Sequence, residues 1–198
     1  MNSDEVLKLL RECGALLDGH FELRSGLHSN RFFQCANVLR YPLAAARLCE
    51  ELAVRVRAGL PAPLPVDAVI SPALGGVLVG HEMARALGSP NRPASLPAIF
   101  AEKQEGKLVM RRFAIERGQR FLVAEDVVTR GGRVQETIDI VLAAGGIVTA
   151  VALLVDRSGG KAQFPYPFFS LLKMEPVTWA PAECPLCKDG IPSVHPGS

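Results

Sequence analysis

The chain has 198 residues, 48% of them hydrophobic and 21% charged, enough apolar material for a real core and too little charge for a disordered polyelectrolyte. A net charge of +2 supplies no global field, so an anionic ligand must be held by locally placed cations and backbone amides; a nucleic-acid partner, which calls for a basic stripe, is not expected. The polar, acidic start Met1 to Glu5 is no signal peptide, and the most apolar stretch, Val141 to Val155, is split by Gly145-Gly146 and falls short of the ~20 residues of a membrane helix, so a soluble, cytoplasmic protein without a membrane partner is expected.

Apolar residues at Val6, Leu9, Leu10 and Cys13 predict a helix over Asp4 to Leu17, with Ser3 as its N-cap and Gly14 or Gly19 helping to end it. Phe21-Glu22-Leu23 and Arg31 to Gln34 read as short strands around a polar turn, Ser25 to Asn30. A second helix spans Leu43 to Ala58 and stops at Gly59 before a proline-rich link. Strand, glycine turn and helix then alternate: Asp67 to Ile70, Gly75-Gly76 and a helix through Leu87; Arg120 to Ala124, Gly131-Gly132 and a helix through Ala144; then the aliphatic run Ile147 to Val155. Continuous apolar strands alternating with helices predict an α/β fold, a mostly parallel sheet covered on both faces, with ligands bound at the carboxyl ends of its strands. Between Glu102 and Arg112 the polar stretch Lys103 to Lys107 is either a hairpin tip or a catalytic flap, the plain tip being the commoner case. Of the five cysteines, an odd number, Cys13, Cys35 and Cys49 fall in periodic apolar segments, as buried reduced thiols do.

The segment Phe121 to Arg133 carries the chemistry. An apolar strand ends in Glu125-Asp126, then Val127-Val128-Thr129-Arg130-Gly131-Gly132-Arg133 opens a helix. Two carboxylates at a strand end are costly to bury and need hydroxyl, metal or amide partners. The turn from Thr129 to Arg133 aims successive N–H groups into one concavity at a helix N-terminus, which suits a phosphate.

This segment resembles the phosphoribosyl pyrophosphate (PRPP) signature of the type I phosphoribosyltransferases. Phe21 to Ser29 resembles the N-terminal hood motif of the orotate phosphoribosyltransferases, Arg31-Phe32-Phe33 their aromatic stretch, Ser71 to Gly76 their pyrophosphate loop and Val155-Asp156-Arg157 the strand end whose arginine meets orotate. The resemblance covers nearly the whole chain in the right order. It implies a single type I phosphoribosyltransferase domain over residues 1–198, with a small hood mainly at 1–40 and a cysteine-containing tail at 180–198. It implies transfer of the phosphoribosyl group of PRPP to orotate, giving orotidine 5′-monophosphate and pyrophosphate in pyrimidine synthesis. PRPP would be held by Glu125, Asp126, Val127, Val128, Thr129, Arg130, Gly131, Gly132 and Arg133, with Lys103 on the pyrophosphate. Orotate would meet Thr129, Arg157, Arg24, Phe32 and Phe33. Lys103 and Asp126 are the implied catalytic residues. Mg²⁺ is the implied cofactor, carried by PRPP near Glu125 and Asp126 without a direct protein cage. A homodimer sharing loop residues between subunits is also implied.

The chain departs from the family pattern in having Arg24 for a common lysine, Leu74-Gly75 for a common Tyr-Lys, and Glu102 for an arginine, for which Arg111 and Arg112 are candidate replacements. Cys184-Pro185-Leu186-Cys187 followed by His195 offers three zinc ligands, but a single CxxC is a weak signal, and a structural tail clipped by thiols or packed on the body is favoured. His28 reads as a turn hydrogen-bonder, and His20 and His81 give no specific signal. The rival readings are a purine phosphoribosyltransferase, which would lack the hood motif and Arg157, and a non-catalytic nucleic-acid regulator of the same fold, which would ordinarily need a basic face.

Overall fold

The architecture is that of a computed structural model describing residues 1–23, 25–88, 96–175 and 177–196. In chain order the elements are α1 (Ser3–Glu12), β1 (Leu16–Glu22), β2 (His28–Phe33), α2 (Ala36–Leu39), α3 (Pro42–Gly59), β3 (Ala68–Pro72), α4 (Gly75–Leu87), β4 (Ala98–Gln104), β5 (Lys107–Val109), β6 (Arg120–Val128), α5 (Gly132–Ala143), β7 (Ile147–Asp156), β8 (Phe168–Lys173), β9 (Thr178–Trp179) and α6 (Pro185–Lys188). Six strands form one sheet in the order β5-β4-β3-β6-β7-β8, parallel throughout except for the β4–β5 hairpin. The expected mostly parallel α/β sheet is therefore present.

Strand alternation divides the core in two. On β6, Leu122 and Ala124 point into a cluster built with α1, α3 and α4, through Leu10, Leu48, Leu52, Val79 and Met83. Phe121 and Val123 point the other way, onto Val134, Ile138 and Val141 of α5. Both faces of the sheet are covered, so its central strands are buried along nearly their whole length.

A smaller sheet, β1-β2-β9, forms the hood, and its third strand comes from the end of the chain. The tail continues across it: Val194 N–H donates to the His20 carbonyl at 2.9 Å, and Glu22 N–H donates to the Val194 carbonyl at 3.0 Å. Among the described residues no helix is long and apolar enough to cross a membrane.

Several boundaries differ from the sequence expectation, each for a local reason. The first helix is capped by Asn2, whose Oδ1 accepts from Glu5 N–H at 2.9 Å while Glu5 Oε2 accepts from Asn2 N–H at 2.8 Å, a reciprocal capping box. It ends at Glu12, since Gly14 turns the chain at φ 68°, and β1 takes over from Leu16. The segment 28–30, expected in a turn, is strand because β2 pairs on both sides, with His28 opposite Trp179 of β9 and also opposite Glu22 of β1. On β6 the strand runs past the two carboxylates to Val128, held by parallel pairing that reaches Asp156 of β7.

Candidate active site

Parallel pairing of β3 with β6 sets the two glycine turns side by side at the carboxyl edge of the sheet. On one side β3 passes through Ala73 and Leu74, joined by a cis peptide, into the N-terminus of α4. On the other, β6 passes through Thr129 and Arg130 to Gly131, the N-cap of α5, which adopts φ 83°. That left-handed backbone explains the glycine, and a Cβ there would also meet Phe164 Cζ at 3.2 Å.

The carboxylates stand between the turns. Glu125 is buried and Asp126 half-buried. Asp126 N–H donates to Glu125 Oε1 at 3.0 Å, and Val127 N–H donates to Asp126 Oδ1 at 2.8 Å. A Cβ on Gly75 would sit 2.5 Å from Asp126 Oδ2, and one on Gly76 2.9 Å from Glu125 Oε1. Any side chain at Gly75 would therefore have to displace the Asp126 carboxylate. Burial, and then the neighbouring Asp126 carboxylate, push the Glu125 carboxyl well above its usual range; Arg133 pulls the other way. Arg133 also links the two turns, its Nη1 donating to the Ala73 carbonyl at 3.4 Å.

Two openings flank the pair. A cradle of about 230 Å³ is lined by Glu125 and residues 127–134, where the α5 N-terminus presents unpaired N–H groups. A larger cleft of about 710 Å³ runs beneath the hood, lined among others by Phe32, Gln34, Leu74, Lys103, Arg133 and His195. Lys103 sits on β4 opposite Leu108 of β5, and the turn between these strands is only Glu105-Gly106, at φ 50° and 88°. Positive φ at both central residues marks a tight two-residue hairpin, whose β4 arm carries Lys103 to the cleft. Arg112 is not available to the cleft, because its guanidinium donates to both Glu102 oxygens at 3.0 and 3.2 Å.

Arg157 lies at the end of β7, its backbone N–H donating to the Val128 carbonyl at 2.8 Å. Its guanidinium lies over the Phe33 ring, 5.7 Å from the centroid, in a cavity of about 160 Å³ that also holds Ser29, Arg31, Met174 and Glu175. Burial lowers its affinity for the proton, yet among the described residues no carboxylate pairs with it, and Glu175 is not within ion-pair distance. A half-buried guanidinium without a carboxylate partner has the donor geometry to take one.

The sequence pattern described as a phosphoribosyl transferase domain matches residues 39–187. Orotate phosphoribosyltransferases from Heliobacterium modesticaldum and Carboxydothermus hydrogenoformans are 50% and 48% identical, over 100% and 98% of this chain and 99% and 97% of theirs. The chain belongs to the orotate phosphoribosyltransferase family. A solved orotate phosphoribosyltransferase from Mycobacterium tuberculosis shares the fold at a TM-score of 0.68 and 25% identity, over 85% of this chain and 94% of that one.

The structure thus gathers the residues implied for PRPP, Glu125 to Arg133, on the end of β6, the turn after it and the first residues of α5, with Lys103 across the cleft. It separates Phe32 from Phe33: adjacent on β2, they face different openings, Phe32 the large cleft and Phe33 the Arg157 cavity. Arg24 lies outside the described residues. Gln34 in the cleft wall was not singled out from sequence, and His195, which the sequence offered only as a third zinc ligand, stands in that wall instead, brought there from the far end of the chain.

Two outcomes follow for this site. A carboxyl held protonated in the fold above the usual 4.5 makes the unliganded protein lose stability as pH rises beyond that value, because the folded state then binds more protons than the unfolded one. Glu125→Gln removes that dependence, so its melting temperature should exceed wild type by more at pH 8 than at pH 5; a constant or shrinking gap in thermal melts would refute the assignment. Gly75→Ala should turn the Asp126 carboxylate aside without disturbing the fold, costing about 10- to 100-fold in kcat/KM for PRPP at an unchanged melting temperature. Wild-type PRPP kinetics would show that the contact is slack.

Proposed function

We propose that the protein transfers the phosphoribosyl group of PRPP to orotate, releasing pyrophosphate and giving orotidine 5′-monophosphate for pyrimidine biosynthesis, in the cytoplasm. The observation that carries this reading is the Glu125-Asp126 pair set between a helix-terminal phosphate cradle and a cleft reached by Lys103.

The 5′-phosphate fits the cradle of residues 129–133, where backbone N–H groups and the positive end of α5 favour a dianion. Glu125 and Asp126 then accept hydrogen bonds from the ribose hydroxyls and orient the anomeric carbon. A ring nitrogen of orotate attacks that carbon as the bond to the pyrophosphate oxygen breaks, through a state with oxocarbenium character, and the proton the nitrogen carried leaves to the departing diphosphate or to water. Negative charge gathers on the departing diphosphate, where Lys103 and Arg133 supply cationic hydrogen-bond donors. The hard oxygens of Glu125 and Asp126 fit Mg²⁺, which, arriving on the diphosphate and keeping most of its waters, would neutralise charge on the leaving group. Arg157 takes the orotate carboxylate, with Thr129 at the adjacent strand end and Phe33 stacked beneath the guanidinium.

A homodimer with loop residues shared between subunits completes the proposal; Lys103 lines its own chain's cleft, and the subunit-mixing experiment below tests whether it serves that site or a neighbour's. The support is the exposed apolar pair Leu74 and Leu78, 83% and 49% exposed beside the pyrophosphate loop.

The direct test follows the loss of orotate absorbance with PRPP and Mg²⁺, which should require all three; pyrophosphate release with purine bases instead would discard orotate. Arg157→Ala should raise KM for orotate about 10- to 100-fold, the loss of a charge-assisted hydrogen bond of roughly 1.5–3 kcal/mol, and leave KM for PRPP nearly unchanged. An equal rise in both would reject the assignment. If Lys103 acts across the dimer, mixing Lys103→Ala with Asp126→Asn subunits restores activity; a mixture as inactive as its parents argues that each site is self-contained.

A further inference from the structure

Four side chains that phosphoribosyl transfer does not use meet where the tail crosses the hood. His20 lies on β1, His28 opens β2, and Cys184 and Cys187 come from the turn that begins and forms α6. His20 is 4% exposed, His28 7% and Cys184 0%, while Cys187 is at the surface. One ring nitrogen of each histidine and the two sulfurs all lie within 4.8 Å of one another. His20 Nε2 is 2.7 Å from His28 Nδ1, 3.4 Å from Cys184 Sγ and 3.7 Å from Cys187 Sγ, and Cys187 Sγ is 3.2 Å from His28 Nδ1. A tetrahedral zinc with nitrogen bonds of about 2.0–2.1 Å and sulfur bonds of about 2.3 Å sets edges of roughly 3.3 Å between nitrogens and 3.5 Å between nitrogen and sulfur. The nitrogen–sulfur separations straddle that edge; the nitrogen pair is somewhat closer than it.

The protons point the same way. His20 Nδ1 lies 2.7 Å from the Ile191 carbonyl oxygen, which only accepts, so in a neutral ring Nδ1 carries the hydrogen and Nε2 turns its lone pair to the centre. A backbone carbonyl fixing the outer nitrogen is the usual support of a metal-bound histidine. Two soft sulfurs and two imidazoles suit zinc above the hard cations. His195, which the linear spacing suggests as a third ligand, stands instead in the wall of the cleft.

We propose that His20, His28, Cys184 and Cys187 bind one Zn²⁺, the cysteines as thiolates, in a closed structural site that staples the tail to the hood. Four protein ligands leave no open position, so the ion's role is to hold structure. Its location gives that role a consequence: the same tail pairs with β1 through Val194, and His195 and Pro196 follow directly as part of the cleft wall opposite Lys103 and Arg133. The stapled segment therefore shapes the cleft proposed for PRPP, while the site itself stands whatever base is the acceptor.

Metal analysis of protein purified under reducing conditions with Zn²⁺ supplied should find about one zinc per chain. Asp126→Asn should retain it. Cys187→Ser, the mildest ligand change because that sulfur is exposed, should weaken Zn²⁺ binding by more than the roughly 10- to 100-fold that losing an outer-shell partner costs. Co²⁺ exchanged into the wild-type site should show tetrahedral bands and thiolate charge transfer, reduced in Cys187→Ser, a readout taken on the folded protein. Chelation should lower the melting temperature of wild type and not of Cys187→Ser. Failure of the reduced protein to take up either metal, equal uptake by Cys187→Ser, or a Cys184–Cys187 disulfide in protein kept from oxidants would overturn the proposal.

Discussion

Carboxylate oxygens packed against bare helix-terminal backbone form the contact on which the cleft depends. Asp126 Oδ2 occupies space 2.5 Å from where a Gly75 Cβ would be, and Glu125 Oε1 stands 2.9 Å from that of Gly76. That approach requires β3 and β6 to be hydrogen-bonded neighbours, as they are in the sheet order, and it requires the turn into α4 to lack side chains at residues 75 and 76. Once the strands are paired, the rest of the site has few alternatives. The α5 N-terminus must lie beside the carboxylates, Arg133 falls within reach of the Ala73 carbonyl, and Arg157 emerges one strand over beside Val128.

The same contact sets the electrostatics. Two adjacent carboxylates repel, and burying one of them favours keeping a proton on it, which is why Glu125 rather than an exposed acid is displaced from its usual range. With a net charge of only +2 on the whole chain, the balancing positive field is local: the end of α5, Arg133 and Lys103 converge on the side where a diphosphate would sit. Arg112, bound to Glu102, adds nothing there, so Lys103 carries more of the load than a chain with additional loop cations would ask of it. The crowded carboxyl pair is unfavourable in the unliganded state, and hydroxyl groups or cations at the site would relieve it, which ties stability and ligand binding to the same two residues.

How much of this was legible depends on how locally each feature is encoded. β3 and β6 read correctly as buried strands because a parallel strand covered on both faces is continuously apolar, and their glycine turns mark where the chain reverses. The helix-terminal turn proposed for the phosphate was legible as a turn because its backbone N–H groups all lie within residues 129–133. Strand ends were less so. The segment 28–30 reads as turn on composition, and becomes strand only through pairing with Thr178-Trp179, two residues too few to show any periodicity. Phe32 and Phe33 show the limit of motif reading, since alternation along β2 sends neighbours to different cavities. His20 and Cys184 are 164 residues apart, and neither carries a signal of its own that names the other.

That last separation bears on how the cleft is built. The parallel sheet fixes the floor, where Glu125, Asp126 and the cradle sit on buried strands that have little freedom to move. The roof is a three-stranded antiparallel sheet of short elements, and its third strand has only two residues, a poor basis for independent stability. Such a roof needs a further constraint if His195 and Pro196 are to hold their places across from Lys103. Val194 supplies two backbone hydrogen bonds, and the mostly buried histidine–cysteine cluster is, among the described residues, a grouping that draws side chains from β1, β2 and the tail together.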